Sequence, residues 1–220
     1  ADIKPQLAAL ERGVQVVVAT PGRMLDVLRR KRVDFSKVAR VVLDEADEML
    51  NMGFEEDIEA ILSTVPESAQ TLLFSATMPR EVATISRKYM SSPVEVTVGT
   101  RNSGAENVSH EYYVIQAKDR YAALRRIVDI YPRMYGIVFC RTRIETQQVA
   151  DRLTVDGYNA QALHGDLSQM QRDSVMKKFR NRHVQILVAT DVAARGLDVE
   201  DLSHVINYNL PDELNAYTHR

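Results

Sequence analysis

The sequence predicts an α/β protein built as two successive parallel-sheet units. Short apolar runs rich in Val, Ile and Leu alternate with stretches whose apolar residues recur at helical spacing. That is the pattern of strands buried on both faces and of helices that cover them. The rhythm stops at residues 99–107, Gly-Thr-Arg-Asn-Ser-Gly-Ala-Glu-Asn, and then begins again. The length agrees: 220 residues are long for one core and comfortable for two units of roughly 100.

Taken in order, residues 14–20 read as a strand, and 23–30 as an amphipathic helix with Met24, Leu25 and Leu28 on one side. Residues 38–43 form the next strand. Phe54, Ile58, Ile61, Leu62 and Val65 then share one helix face over 54–65. Residues 70–75 are a strand, Pro79 opens a helix at a position proline favours, and 94–98 is a short strand. The small, polar break makes 99–109 a linker between units 1–98 and 110–220. Beyond it come strand 111–115, helix 118–131, strand 136–140, helix 144–155, strand 159–163, helix 168–179, strand 184–189 and strand 205–208.

The halves share a phrase. Residues 14–20, Val-Gln-Val-Val-Val-Ala-Thr, and 184–190, Val-Gln-Ile-Leu-Val-Ala-Thr, agree at five of seven positions. Buried parallel strands draw on Val, Ile and Leu in any case. Both runs, however, end in Ala-Thr and lead into a turn with Gly and Arg: Pro21-Gly22-Arg23 in one, Asp191 through Arg195-Gly196 in the other. A strand end with a hydroxyl, backbone N–H groups and an arginine suits a phosphate. Internal duplication is therefore expected, with one polyanion bound across both units.

Composition removes several classes. Apolar residues at 45% and charged residues at 26% are ordinary for a soluble globular protein. A formal net charge of -2 argues against a simple basic nucleic-acid coat, though not against a locally positive groove. The dense basic cluster Arg29-Arg30-Lys31-Arg32 closes a helix, where cations complement the dipole. No apolar run approaches the roughly 18 residues of a membrane span, and the start lacks the basic-then-apolar form of a signal peptide. The single cysteine, Cys140, lies in the apolar run Ile137-Val138-Phe139-Cys140, which points to a core position and a reducing, cytoplasmic setting. The histidines are scattered and no Cys/His ligand cluster exists.

The most informative stretch is Val41-Val42-Leu43-Asp44-Glu45-Ala46-Asp47. In open α/β sheets ligands bind beyond the carboxyl ends of strands. One carboxylate there can hold a magnesium ion beside a nucleotide phosphate, while its neighbour orients or deprotonates water. Equally, acidic residues suit a helix N-terminus and need no metal. Ser75-Ala76-Thr77 likewise reads as a small-residue strand end that caps the helix near Pro79.

In fixed order the chain carries Thr20-Pro21-Gly22-Arg23, Asp44-Glu45-Ala46-Asp47, Ser75-Ala76-Thr77, Val138 through Arg143, Gln169 to Arg172, Ala189-Thr190-Asp191 through Asp198, and finally His219-Arg220. Together these phrases resemble the DEAD-box RNA helicases, in bacterial phrasing, over essentially the whole chain. The resemblance implies two RecA-like domains, with ATP and Mg2+ as cofactors and sequence-independent binding to single-stranded or short duplex RNA. It implies that Asp44 ligates the nucleotide-bound magnesium and that Glu45 activates the attacking water. Asp47 is implied to join Ser75, Thr77 and His219 and so couple hydrolysis to domain placement. Asp198 and Arg220 are implied on the nucleotide, Asp198 at its ribose. Thr20, Gly22, Arg23, Thr142, Gln169, Arg172 and Thr190 are implied on the RNA backbone, with the turn at His164-Gly165-Asp166 on the RNA side. Asp198 is otherwise a solvated loop carboxylate, and Arg172 a surface cation paired with Asp173 or Glu145, worth little to stability.

The family's phosphate-cradling Gly-x-Gly-Lys-Thr loop is missing, because the sequence contains no Gly-Lys pair. Under this resemblance the first domain is expected to be incomplete, the final arginine-rich motif cut short, and the chain inactive outside a longer parent. That parent would unwind short RNA duplexes at the expense of ATP. Ribonucleoprotein or RNA-decay partners would be recruited through flanking tails, with no membrane involved. The rival readings are a non-catalytic, weak RNA-binding fragment and a DNA-directed translocase of the same superfamily.

Overall fold

The computed structural model describes residues 2–31, 33–98, 108–197, 199–211 and 214–220. The chain divides into two compact units, residues 1–106 and 107–220.

Unit 1 runs α1 (Lys4–Glu11), α2 (Pro21–Arg29), β1 (Arg40–Leu43), α3 (Ala46–Asn51), α4 (Glu55–Leu62), β2 (Gln70–Leu73) and α5 (Arg80–Tyr89). Strands β1 and β2 pair in parallel, Arg40 opposite Gln70 through Leu43 opposite Leu73. Strand side chains alternate between faces, so Val41, Leu43 and Leu73 meet Ile58, Leu62 and Ile85 of α4 and α5 on one side. On the other side Val42 and Phe74 are more than half exposed. Arg30 Nε donates to Asp26 Oδ1 at 2.8 Å beside the end of α2, so one member of the basic cluster is occupied there. Arg32 lies outside the described residues.

Unit 2 contains a 3-10 turn (Ala117–Asp119), α6 (Arg120–Ile130), β3 (Gly136–Phe139), α7 (Arg143–Val155), β4 (Ala160–Leu163), α8 (Gln169–Arg180), β5 (Ile186–Ala189), α9 (Asp191–Ala194), β6 (His204–Asn207) and α10 (Leu214–His219). Its four strands are all parallel, in the order β4-β5-β3-β6. Alternation divides the core. Val138, Cys140, Ile186 and Val188 pack with Leu124 and Val128 of α6 and Val149 and Leu153 of α7. Ile137, Phe139, Leu187 and Ala189 pack with Met176 and Phe179 of α8. Helices thus cover both faces. Gly136 is required at the start of β3, because a Cβ there would stand 2.5 Å from the carbonyl oxygen of His204 on β6.

Three expected strands are corrected. Residues 14–20, 94–98 and 111–115 form no ladder, and Val18, Val96 and Val114 are almost fully exposed. An apolar β-branched run is a strand only when a neighbour supplies its hydrogen bonds and covers its side chains. The two-stranded sheet of unit 1 provides none for residues 14–20 or 94–98. Residues 99–107 of the expected linker lie outside the described residues. Among the described residues, no helix is long and apolar enough to cross a membrane.

Candidate functional site

In unit 1 the acidic stretch stands where strand β1 ends. Asp44 is exposed, and its Oδ1 accepts from the N–H of Glu45 at 3.0 Å. Glu45 adopts the left-handed conformation, φ 51°, ψ 47°, as the N-cap of α3. That conformation costs a residue with a Cβ about 1–2 kcal/mol. Such residues are frequent at active sites, and Lys31, Ser92, Arg182 and Asp201 share this backbone region with Glu45. Glu45 is half-buried, directly beside Asp44 at the strand's mouth. Glu45 caps α3 through its backbone, and its side chain makes no capping bond.

Asp47 is fully buried, a condition that demands partners for a carboxylate. Its Oδ2 accepts from the N–H of Thr77 at 2.8 Å and from Thr77 Oγ1 at 2.6 Å, and its Oδ1 accepts from the N–H of Glu48 at 3.1 Å. The N–H of Asp47 donates to Ser75 Oγ at 3.3 Å, and that hydroxyl donates to the carbonyl of Thr77 at 2.6 Å. Ser75 and Thr77 are thus bound to the acidic turn and do not cap α5, whose N-cap is Pro79 without a side-chain bond. His219 closes α10 in unit 2.

Thr20 and Thr190 hold matching positions. Each is the N-cap of a following helix, α2 or α9, with dihedrals of -77°, 154° and -87°, 154°. Neither side chain makes the cap bond. Thr20 is exposed and Thr190 buried. Gly22 is exposed and Arg23 half-buried in the first turn of α2.

Thr142 caps α7, its Oγ1 accepting from the N–H of Glu145 at 3.1 Å, which leaves the hydroxyl proton for a ligand. Gln169 opens α8 and donates from Nε2 to Asp173 Oδ1 at 2.8 Å. Arg172 contacts neither Asp173 nor Glu145 as an ion pair. Its Nη2 donates to the carbonyl of Ala193 at 3.4 Å, and its buried Nε has no acceptor among the described residues.

Arg220 is held within unit 2. Its guanidinium forms a bidentate pair with Asp191, at 2.5 and 2.7 Å, and donates to Asn207 Oδ1 at 2.6 Å and the carbonyl of Asn209 at 2.8 Å. It also lies over the ring of Phe139. The hydrogen-bond partners are 11 to 29 residues away in sequence and Phe139 is farther, so local pattern does not reveal them. Asp191 was the one available signal, since it follows Thr190 directly. Asp198 lies outside the described residues.

A magnesium ion fits this donor set in one way. No group of three or more His, Cys, Asp or Glu side chains among the described residues could hold a metal. Asp44 offers a hard, exposed oxygen, the kind of single carboxylate that holds magnesium when nucleotide phosphates and water supply the remaining ligands. A cavity of about 710 Å³ between α6 and α7, lined by Tyr121, Arg125, Arg152 and Asp156 among others, contains none of these residues.

The DEAD/DEAH box helicase profile matches residues 1–85, and the helicase conserved C-terminal domain matches residues 119–220. Two successive parallel α/β units with these profiles define a tandem RecA-like helicase core. The chain belongs to the DEAD-box helicase family. It is 50% identical over 215 residues to the ATP-dependent RNA helicase DeaD of Mycobacterium tuberculosis, covering 98% of this chain and 38% of that protein. It is 45% identical to the DEAD-box ATP-dependent RNA helicase CshA of Bacillus cereus, covering all of this chain and 42% of that protein. Among solved structures, S. cerevisiae Dbp5 bound to RNA and ADP BeF3 is 30% identical, with a TM-score of 0.83 over 94% of this chain and 55% of that one. A DEAD box protein from Methanococcus jannaschii is 42% identical, with a TM-score of 0.52 over 100% and 59%. The chain spans about two-fifths of the length of these two curated relatives.

Proposed function

We propose that this chain is part of an ATP-dependent RNA helicase whose ATP hydrolysis is stimulated by RNA and coupled to local unwinding of short duplexes. The observation that carries the reading is the acidic turn: Asp44 exposed at the end of β1, Glu45 in a strained conformation beside it, and Asp47 buried against Thr77. The names of the relatives, and RNA with ADP BeF3 in the Dbp5 structure, support the same reading.

Asp44 would hold the magnesium, which neutralises phosphate charge as the transferred group departs. Glu45 orients the attacking water and takes its proton. Asp47 connects that turn to Thr77, and a contact with His219 of unit 2 would make hydrolysis depend on both units. Thr20, Gly22 and Arg23 in unit 1, and Thr142, Gln169, Arg172 and Thr190 in unit 2, hold RNA by its backbone, which carries no base information. Asp198 and Arg220 would contact the nucleotide, Asp198 at its ribose, and Asp191 and Asn207 hold the Arg220 guanidinium. The setting is the cytoplasm, with ribonucleoprotein or RNA-decay partners.

The test is ATP turnover of the full-length protein with matched RNA and DNA single strands of mixed sequence. RNA is expected to raise turnover and DNA to leave it near the basal rate. Equal stimulation would favour a DNA-directed translocase and overturn the reading. The 220-residue chain, which has no Gly-Lys loop for the phosphates, is expected to show no turnover alone.

A further inference from the structure

The turn after β4, His164-Gly165-Asp166, is held by side chains that the proposed reaction does not use. His164 is 6% exposed. Its Nε2 lies 3.0 Å from Oε1 of Gln147 on α7, and its Nδ1 lies 3.4 Å from the backbone nitrogen of Asp166. Gln147 Nε2 donates to Asp151 Oδ1 at 2.7 Å. Arg143, the first residue of α7, pairs with the carboxylate of Asp166.

The polarity of this chain runs one way. An ionised carboxylate only accepts, so Asp151 turns the Gln147 amide until its oxygen faces His164. That oxygen also only accepts, so Nε2 of the imidazole must carry the proton. Nδ1 then presents its lone pair to the N–H of Asp166. With the proton on Nδ1, two N–H groups would face each other at a buried position, and a backbone donor would lose its acceptor.

We propose that His164 is a positioning residue for RNA. Fixed by α7 as the Nε2-protonated ring, it holds the β4–α8 turn and so sets the spacing of two helix N-termini presented to one strand. One terminus is capped by Thr142 and the other opened by Gln169. Arg143 and Gln147 grip the turn from successive turns of α7, about 6 Å apart along the axis. Within the turn, Ser168 and Gln171 form a reciprocal capping box that makes the start of α8 rigid, so placing the turn places Gln169. This inference rests on the RNA reading above.

Asparagine and glutamine at position 164 separate the two bonds of the ring. The side-chain oxygen of Asn stands near the place of Nδ1, so His164→Asn keeps the acceptor for Asp166 and loses the bond to Gln147. His164→Gln does the reverse, and His164→Ala loses both. Affinity for a fluorescent single-stranded RNA is measured by anisotropy on the full-length protein with a non-hydrolysable ATP analogue. Asn, which keeps the bond to Asp166 that holds the turn, is expected to weaken binding by no more than about threefold, and Gln and Ala, which both lose that bond, by about tenfold. A side chain that merely fills space would give the opposite order, with Gln above Asn.

A second measurement does not depend on RNA. Long-range 15N–1H correlation is expected to show His164 in the Nε2-protonated form, and the Asp166 amide is expected to exchange more slowly in wild type than in His164→Gln. An Nδ1-protonated ring, or equal exchange, overturns the positioning role whatever RNA does. Equal RNA affinity in wild type, Asn and Gln variants also overturns it. A wild-type protein that shows this tautomer but binds no RNA overturns the functional reading instead.

Discussion

Residues 14–20 and 184–190 differ at two positions, and they are built differently. In unit 2 the second run supplies β5, flanked by β4 and β3, with Val188 at 0% exposure. In unit 1 the first run pairs with nothing among the described residues, and Val18 is 92% exposed. Both nonetheless end in the same local device, a threonine N-cap with ψ 154° whose side chain makes no capping bond. The device is set by the last residues of the phrase and the helix that follows. The strand is set by neighbours that the phrase itself does not contain. Local chemistry repeated in both units while sheet context did not.

That contrast can be broken by placing one charge in each run. Val188→Asp puts an unpaired carboxylate in the middle of a covered sheet and should destabilise unit 2 by about 3–5 kcal/mol or prevent its folding. Val18→Asp should change stability by less than about 0.5 kcal/mol. Chemical denaturation of both variants checks the pair, and equal losses would mean that residues 14–20 form a covered strand in solution.

A smaller effect is expected in unit 1, where a polar knot takes the place of a broad core. Asp47→Ala leaves the N–H and hydroxyl of Thr77 without their buried acceptor and should cost about 1–3 kcal/mol in unfolding free energy. A loss below that range would show water replacing the carboxylate.

A pH-dependent effect concerns the covered sheet of unit 2. Burial pushes the Cys140 thiol up to about 12, the nearby Glu145 adding in the same direction. The folded value lies above the unfolded one, so this contribution is complete below the ordinary thiol range of about 8.5 and is lost as pH rises toward 12. Unfolding free energy at pH 10 should therefore be lower for wild type than for Cys140→Ala, once each is referred to its own value at pH 7. Alkylation of Cys140 should proceed at the rate of unfolding.

Unit 2 was largely legible because its elements announce themselves locally. Residues 136–140 and 186–189 are continuous apolar runs, and Ser168 with Gln171 forms a capping signature at the start of α8. The acidic turn and Ser75-Ala76-Thr77 were also visible as residue types at strand ends. Their geometry was not. The left-handed backbone of Glu45 has no signal in its residue type, and the bond from Thr77 to Asp47 spans 30 residues. Residues 94–98 and 111–115 misled because β-branched and aromatic content reports fitness for a sheet, not the presence of one. The part-buried cluster of Arg220 with Asp191 and Asn207 was hidden for the same long-range reason.

The most direct measurement is ATP hydrolysis by the full-length protein carrying Glu45→Gln, alongside its binding of ATP and RNA. The account predicts that both ligands still bind and that RNA-stimulated turnover falls by about 10²–10⁴-fold, the usual contribution of a positioned general base. Turnover near wild type would contradict the assignment of Glu45 and, with it, the catalytic meaning of the turn at the end of β1.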